Sequence, residues 1–293
     1  GRFCARQARR IIQFLRIFRN NVVNLDTHMT MHRSPVLGGA LAAASVFFLS
    51  QLATAEPAPP TRAITIDDLA TLQKVSGAQL DLATRSVYFA AARARPELNR
   101  WQSALFVQRL DAAGRPSVPA TRLTHPERGT KQEGQDMAPA LSPDGQWLAF
   151  LSTRDGGAAQ VYILSPAGGE ARRLTQLLDG AAAITWGPDS RTLIVQSRVY
   201  ADCPAAPAVG SEECQKRRTD AREASPMQVR MMDRLFYRHW DSWNDGRRSH
   251  LFRLQVPRPG ETVAPLVDLT PGDHDAPPLA RAGAQPFSQS PDG

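Results

Sequence analysis

The chain has 293 residues, 42% of them apolar, enough for a buried core, which excludes a disordered or collagen-like protein. Its net charge is +7, but the six arginines of residues 1–28, set against the one acid Asp26, carry five of these charges and Arg33 a sixth. Residues 34–293 are therefore near neutral, which argues against nucleic acid as a partner.

Residues 1–30 lead up to the first plausible starts, Met29 and Met31. The stretch Ile11 to Arg19 has the character of a basic amphipathic surface helix or of a transit peptide. The expectation is simpler: translation assigned upstream of the true start, because a secretory signal should be N-terminal. Residues 31–55 have the order of such a signal, with basic His32 and Arg33, an apolar run from Val36 to Leu52, and Ala53-Thr54-Ala55 before Glu56. Cleavage is expected between Ala55 and Glu56, giving a periplasmic or secreted protein with no stable membrane anchor. The alternative, a transmembrane anchor, needs a longer span than this run of about 17 residues with two glycines inside it.

A Pro-rich linker over 56–64 precedes a short helix from Thr65 to Leu72, with Thr65 or Asp67 as its cap. Beyond it little helical periodicity is sustained, and short alternating or apolar runs between turn residues predict strands. One unit recurs. Its clearest copy runs from Ala140-Leu141 through the turn Ser142-Pro143-Asp144-Gly145 to Gln146–Thr153, then Arg154-Asp155-Gly156-Gly157, Gln160–Leu164 and the close Arg172-Arg173-Leu174-Thr175. Proline presets φ in such a turn, and glycine takes positive φ. A second copy opens about 45 residues later with Trp186-Gly187-Pro188-Asp189-Ser190 and closes at Leu269-Thr270. A degenerate copy precedes both, from Gln79 through Val87–Ala90 and Ala104–Leu110 to Arg122-Leu123-Thr124.

Four strands on a period of about 40–50 residues predict an all-β chain, an incomplete β-propeller over 65–293. The blades are expected at about 76–125, 137–176 and 184–271, with an insertion over about 200–245. Ser290-Pro291-Asp292-Gly293 is the opening turn of a fourth blade over 286–293, so the chain reads as a fragment.

The insertion holds Cys203 and Cys214, which in an oxidising compartment would pair as a disulfide and otherwise remain two free thiols. The charged run from Gln215 to Glu223 reads as a solvated face. Glu212-Glu213 offers two carboxylates to a peptide amino terminus, or is an exposed pair with no specific role. His239, among Tyr237, Trp240 and Trp243, is the most site-like histidine, although histidines among aromatics are more often structural. Asp241 to Gly246 begins like a calcium loop but places Trp243 and Phe252 where oxygen ligands are needed. No G-x-S-x-G elbow, phosphate-binding loop or H-E-x-x-H pair occurs, so no catalytic residue, metal or cofactor is assigned.

The segment 66–76, the Pro-Asp-Gly turns, Tyr237-Arg238-His239-Trp240-Asp241-Ser242-Trp243 and Arg248-Ser249-His250-Leu251-Phe252 together resemble the N-terminal propeller of bacterial secreted serine peptidases of the prolyl oligopeptidase family. The dipeptidyl peptidase V and acylaminoacyl-peptidase types are the nearest in character, and the resemblance covers about residues 31–293. It implies a seven- or eight-bladed propeller that admits short peptides to a C-terminal α/β-hydrolase domain with a Ser-Asp-His triad. This chain departs from that pattern: it has no position matching a triad residue, so by itself it is expected to be inactive. The second expectation is a non-enzymatic TolB-like periplasmic propeller that binds a protein partner.

Overall fold

The computed structural model describes residues 62–128, 134–208, 210–227, 229, 232, 238–239, 242–243, 245–258, 260–277, 287–290 and 292. The extension 1–30, the signal segment 31–55 with its Ala55/Glu56 site and the linker up to residue 61 lie outside them, as do Tyr237, Trp240, Asp241 and much of 286–293. The chain divides into two units, Gly1–Ile64 and Thr65–Gly293, and every element described belongs to the second.

That unit opens with helix Ile66–Thr71, capped by Thr65. Thr65 N donates to Asp68 Oδ2 at 2.7 Å, and Asp68 N donates to Thr65 Oγ1 at 3.4 Å. The two bonds satisfy two amides that have no partner within the helix, which selects Thr65 over Asp67 as the cap.

Three four-stranded antiparallel sheets follow. The first orders β1 (Gln73–Asp81), β2 (Ser86–Arg95), β3 (Arg100–Arg109) and β4 (Thr121–Arg122). The second orders β5 (Asp136–Leu141), β6 (Leu148–Ser152), β7 (Gln160–Leu164) and β8 (Arg172–Arg173). In the third, β9 (Ala183–Trp186) pairs with β10 (Thr192–Tyr200), β10 with β13 (Arg247–Gln255) and β13 with β14 (Val267–Asp268). Between β10 and β13 the chain forms a helix, Ser211–Glu223, and a small ribbon of β11 (Arg238–His239) and β12 (Ser242–Trp243).

The three sheets share two local devices. The first is the tight turn between the first two strands, where one residue takes the left-handed region: Arg85 (φ 50°), Gly145 (φ 70°) and Ser190 (φ 55°). Only Gly145 adopts it without a Cβ penalty. The second device is the Leu-Thr close. Leu123 N, Leu174 N and Leu269 N donate to the carbonyls of Leu105, Val161 and Leu251. The hydroxyls of Thr124, Thr175 and Thr270 then accept from the amides of those same three residues, at 2.9–3.0 Å. A threonine side chain thus extends each ladder by one bond beyond its two-residue fourth strand, satisfying an amide that is buried in the first two sheets and part-buried in the third.

The second sheet is covered on both sides. Leu148, Phe150, Tyr162 and Leu164 meet Tyr88, Ala90 and Leu105 of the first sheet. Ala149, Leu151, Val161 and Ile163 meet Ile184, Trp186, Leu193, Val195 and Leu254 of the third. This is why every residue of β6 and β7 is buried and why the alternation of a half-exposed strand is missing from their sequence.

The strand-only expectation beyond residue 72 is corrected by the helix Ser211–Glu223, which takes in the whole charged run 215–223. Its only buried residue is Ser211, so it has no apolar stripe and gives no periodic signal.

Candidate functional site

In an antiparallel meander successive connections alternate between the two ends of the sheet. The β5–β6 and β9–β10 turns share one end, where Asp144 N donates to Ser190 Oγ at 3.0 Å. The long β10–β13 connection, with the helix Ser211–Glu223, leaves from the other. There the start of the helix, the loop before it, the end of β10 and the middle of β13 border an open cleft of about 990 Å³. Tyr200, Phe252 and Leu177 give it apolar surface, and the first helical turn adds Glu212 and Glu213 to its wall. Both glutamates are exposed.

Polar and covalent contacts hold that wall in place. Cys203 and Cys214 are disulfide-bonded, with their Cα atoms 5.7 Å apart. Tyr200 N donates to Gln215 Oε1 at 2.8 Å, and Gln215 Nε2 donates to Tyr200 O at 3.0 Å, so one side chain satisfies both backbone groups where β10 ends. Arg218 pairs with Asp202 at 3.1 Å and its guanidinium lies 5.1 Å from the Tyr200 ring centroid.

The far end of the helix meets a charge cluster. Arg222 pairs with Asp245 at 2.9 Å, and Arg198 and Arg247 each reach both Asp245 and Asp179. The two carboxyls respond oppositely to shared partners. Burial pushes the Asp179 carboxyl above its ordinary value, and the charges of Arg247 and Arg198 only partly offset it. Burial acts the same way on Asp245, but the hydrogen bond from Arg222 and the charges of Arg198 and Arg247 outweigh it and hold that carboxyl low.

His250, 2% exposed, lies at the edge of the cleft. Its Nε2 donates to the Gly272 carbonyl at 2.9 Å, and its Nδ1 lies 2.8 Å from Asp268 Oδ2. Both ring nitrogens are therefore engaged, tying β13 to β14 and to the loop after it. Ser197, its partner across the β10–β13 ladder, donates instead to the Gly180 carbonyl at 2.6 Å. The pair is a structural clamp rather than a nucleophile with its base.

Of the residues singled out in the sequence, Cys203, Glu212 and Glu213 line the cleft, and Cys214 is tied to it through its bond to Cys203. The backbone of His239 pairs with Ser242 in the ribbon, and its neighbours Tyr237, Trp240 and Asp241 lie outside the described residues. Asp245, from the abortive calcium loop, belongs to the arginine cluster. Among the described residues no group of three or more His, Cys, Asp or Glu gathers as a metal site. Among them, no helix is long and apolar enough to cross a membrane. Sequence reading missed His250, Asp179 and Arg247. A signal for His250 was present: it shares strand parity with Phe252 and Leu254, which marks it as buried.

No protein-family profile matches the sequence. The chain is 33% identical over 132 residues to the uncharacterized peptidase YuxL of Bacillus subtilis (strain 168), covering 45% of this chain and 18% of that protein. It is 23% identical over 231 residues to dipeptidyl-peptidase 5 of Porphyromonas gingivalis, covering 76% of this chain and 29% of that one. The chain thus spans less than a third of the curated relatives it matches. Among solved structures, Pyrococcus horikoshii acylaminoacyl peptidase aligns with a TM-score of 0.46 at 14% identity, covering 68% of this chain and 25% of that chain. The β-propeller domain of the Trilobed protease from Pyrococcus furiosus aligns with a TM-score of 0.37 at 11% identity, covering 69% and 44%.

Proposed function

We propose that this chain is part of the substrate-admitting β-propeller of an exported serine exopeptidase of the prolyl oligopeptidase family, of dipeptidyl- or acylaminoacyl-peptidase type. The observation that carries the reading is the 33% identity over 132 residues to a peptidase of which the chain spans 18%. On this reading the three sheets are blades, and further blades and an α/β-hydrolase domain belong to a longer polypeptide. That domain performs acyl transfer through a serine ester, with a histidine base and backbone oxyanion donors. The bonded Cys203–Cys214 pair agrees with an oxidising, extracytoplasmic location.

The role of this chain is to admit a short peptide and hold one end of it. An apolar cleft with two carboxylates on its wall suits a peptide with a free amino terminus, which is a cation at neutral pH. Calorimetric titration of the purified chain with tripeptides, free or N-acetylated, tests this. The free-amine peptide is expected to bind about three- to tenfold more tightly, as a partly solvated ion pair allows. The double variant Glu212→Gln/Glu213→Gln should abolish the difference. Equal affinity for both peptides in the unmodified chain would remove the amine-binding role.

A further inference from the structure

Helix Ser211–Glu223 forms one wall of the cleft without the usual means of staying there. It is 13 residues long, a length that is marginal for a helix alone in water. It buries only Ser211, and its N-cap, Gly210, provides no side-chain hydrogen bond. Besides its backbone connections, it is fixed by the Cys203–Cys214 bond and the Gln215–Tyr200 pair near one end, and by Arg218–Asp202 and Arg222–Asp245 farther along. Arg218 and Arg222 are more than two-fifths exposed, so their ion pairs hold weakly against water. Among the described residues the disulfide is the one covalent cross-link that fixes the helix.

We infer that Cys203–Cys214 is a redox latch on the cleft: reducing it releases the helix and opens that wall while the sheets stay folded. Cys203 is buried, but Cys214 on the helix is partly exposed, so the bond is open to attack from the helix side. The reductant is a dithiol. Its thiolate attacks the Cys214 sulfur, and Cys203 leaves as a thiolate and takes up a proton. The second thiol of the reductant, once deprotonated, displaces Cys214 from the mixed disulfide, and Cys214 is protonated in turn. Two electrons pass to the protein and the dithiol closes to a cyclic disulfide. Opening removes Glu212, Glu213 and Gln215 from the cleft wall together.

The inference rests on the geometry of the wall and is independent of what the cleft binds. Hydrogen exchange on the full chain, with and without dithiothreitol, tests it. Reduction is expected to speed exchange of the amides of 214–223 by about tenfold or more, with β6 and β7 unchanged. Reoxidation should restore protection. The variant Cys203→Ser/Cys214→Ser should match the reduced protein, which separates this bond from any effect at the third cysteine of the sequence, Cys4. Unchanged protection of 214–223 after reduction would overturn the latch. Loss of protection throughout β6 and β7 would also overturn it, because the bond would then be a staple for the whole unit.

Discussion

The residues that do most for each sheet are small and polar. Thr175 is 4% exposed, and its hydroxyl accepts from Val161 N and donates to Gln160 Oε1 at 2.9 Å. Thr175→Val keeps the shape and orphans that amide, so it should cost about 1–3 kcal/mol in urea denaturation, whereas Thr175→Ser should cost less than half as much. A Val variant as stable as the parent would mean that the Leu-Thr close is only sequence punctuation. At the tight turns, Arg85 holds a positive φ that glycine adopts freely, so Arg85→Gly should stabilise the fold by up to about 1 kcal/mol in the same assay. Destabilisation by a similar amount would contradict this. The recurrence of Leu-Thr and of Pro-Asp turns was legible in the sequence. The bonds that make them recur were not, because a donor and its acceptor lie up to 19 residues apart. Charge is legible only as a sum: nothing in the sequence says that Asp245 and Asp179 share arginines. Asp245, with its carboxyl held low, contributes stability that is present above its unfolded value and lost as pH falls through its folded one. Denaturation of the parent and of Asp245→Asn should therefore differ most near neutral pH, and the gap should narrow progressively as the pH falls below the ordinary carboxylate value. Asp179 has the opposite sign, its contribution being lost as pH rises through its raised value. A gap constant with pH would mean that Asp245 acts through packing alone.

At the scale of elements, burial determined what the sequence disclosed. The central sheet, apolar on both faces, announced β6 and β7 as continuous hydrophobic runs. Phe150 is fully buried and stacks on Tyr162 with ring centroids 5.9 Å apart. Phe150→Ala should cost about 3–5 kcal/mol, while Val75→Ala on the exposed face of β1 should stay within about 0.5 kcal/mol. Comparable losses at both positions would mean that the burial does not describe the protein in solution. The helix Ser211–Glu223 stayed hidden for the complementary reason. It is held by a disulfide, a glutamine and ion pairs, none of which leaves a periodic trace. The cleft it forms was legible only in its parts, the two cysteines and the two glutamates, and not as a site.

For the whole molecule, the described unit is a set of antiparallel sheets that bury their faces against one another, on a chain similar in sequence to peptidases roughly two to three times its length. The cleft holds no paired nucleophile and base among its described residues; in the proposed reading, acyl transfer is assigned to an α/β-hydrolase domain of a longer polypeptide. The most direct test starts from the producing cells. Antibodies raised against residues 65–293 are used to recover the native protein, which is then exposed to a fluorophosphonate serine probe beside the purified 293-residue chain. The account predicts a labelled native polypeptide roughly two to three times the length of this chain, as the matched lengths and shares of its relatives imply, and no labelling of the chain itself. A native polypeptide of this chain's own length that stays unlabelled and brings down a protein partner would contradict it and favour the non-enzymatic propeller.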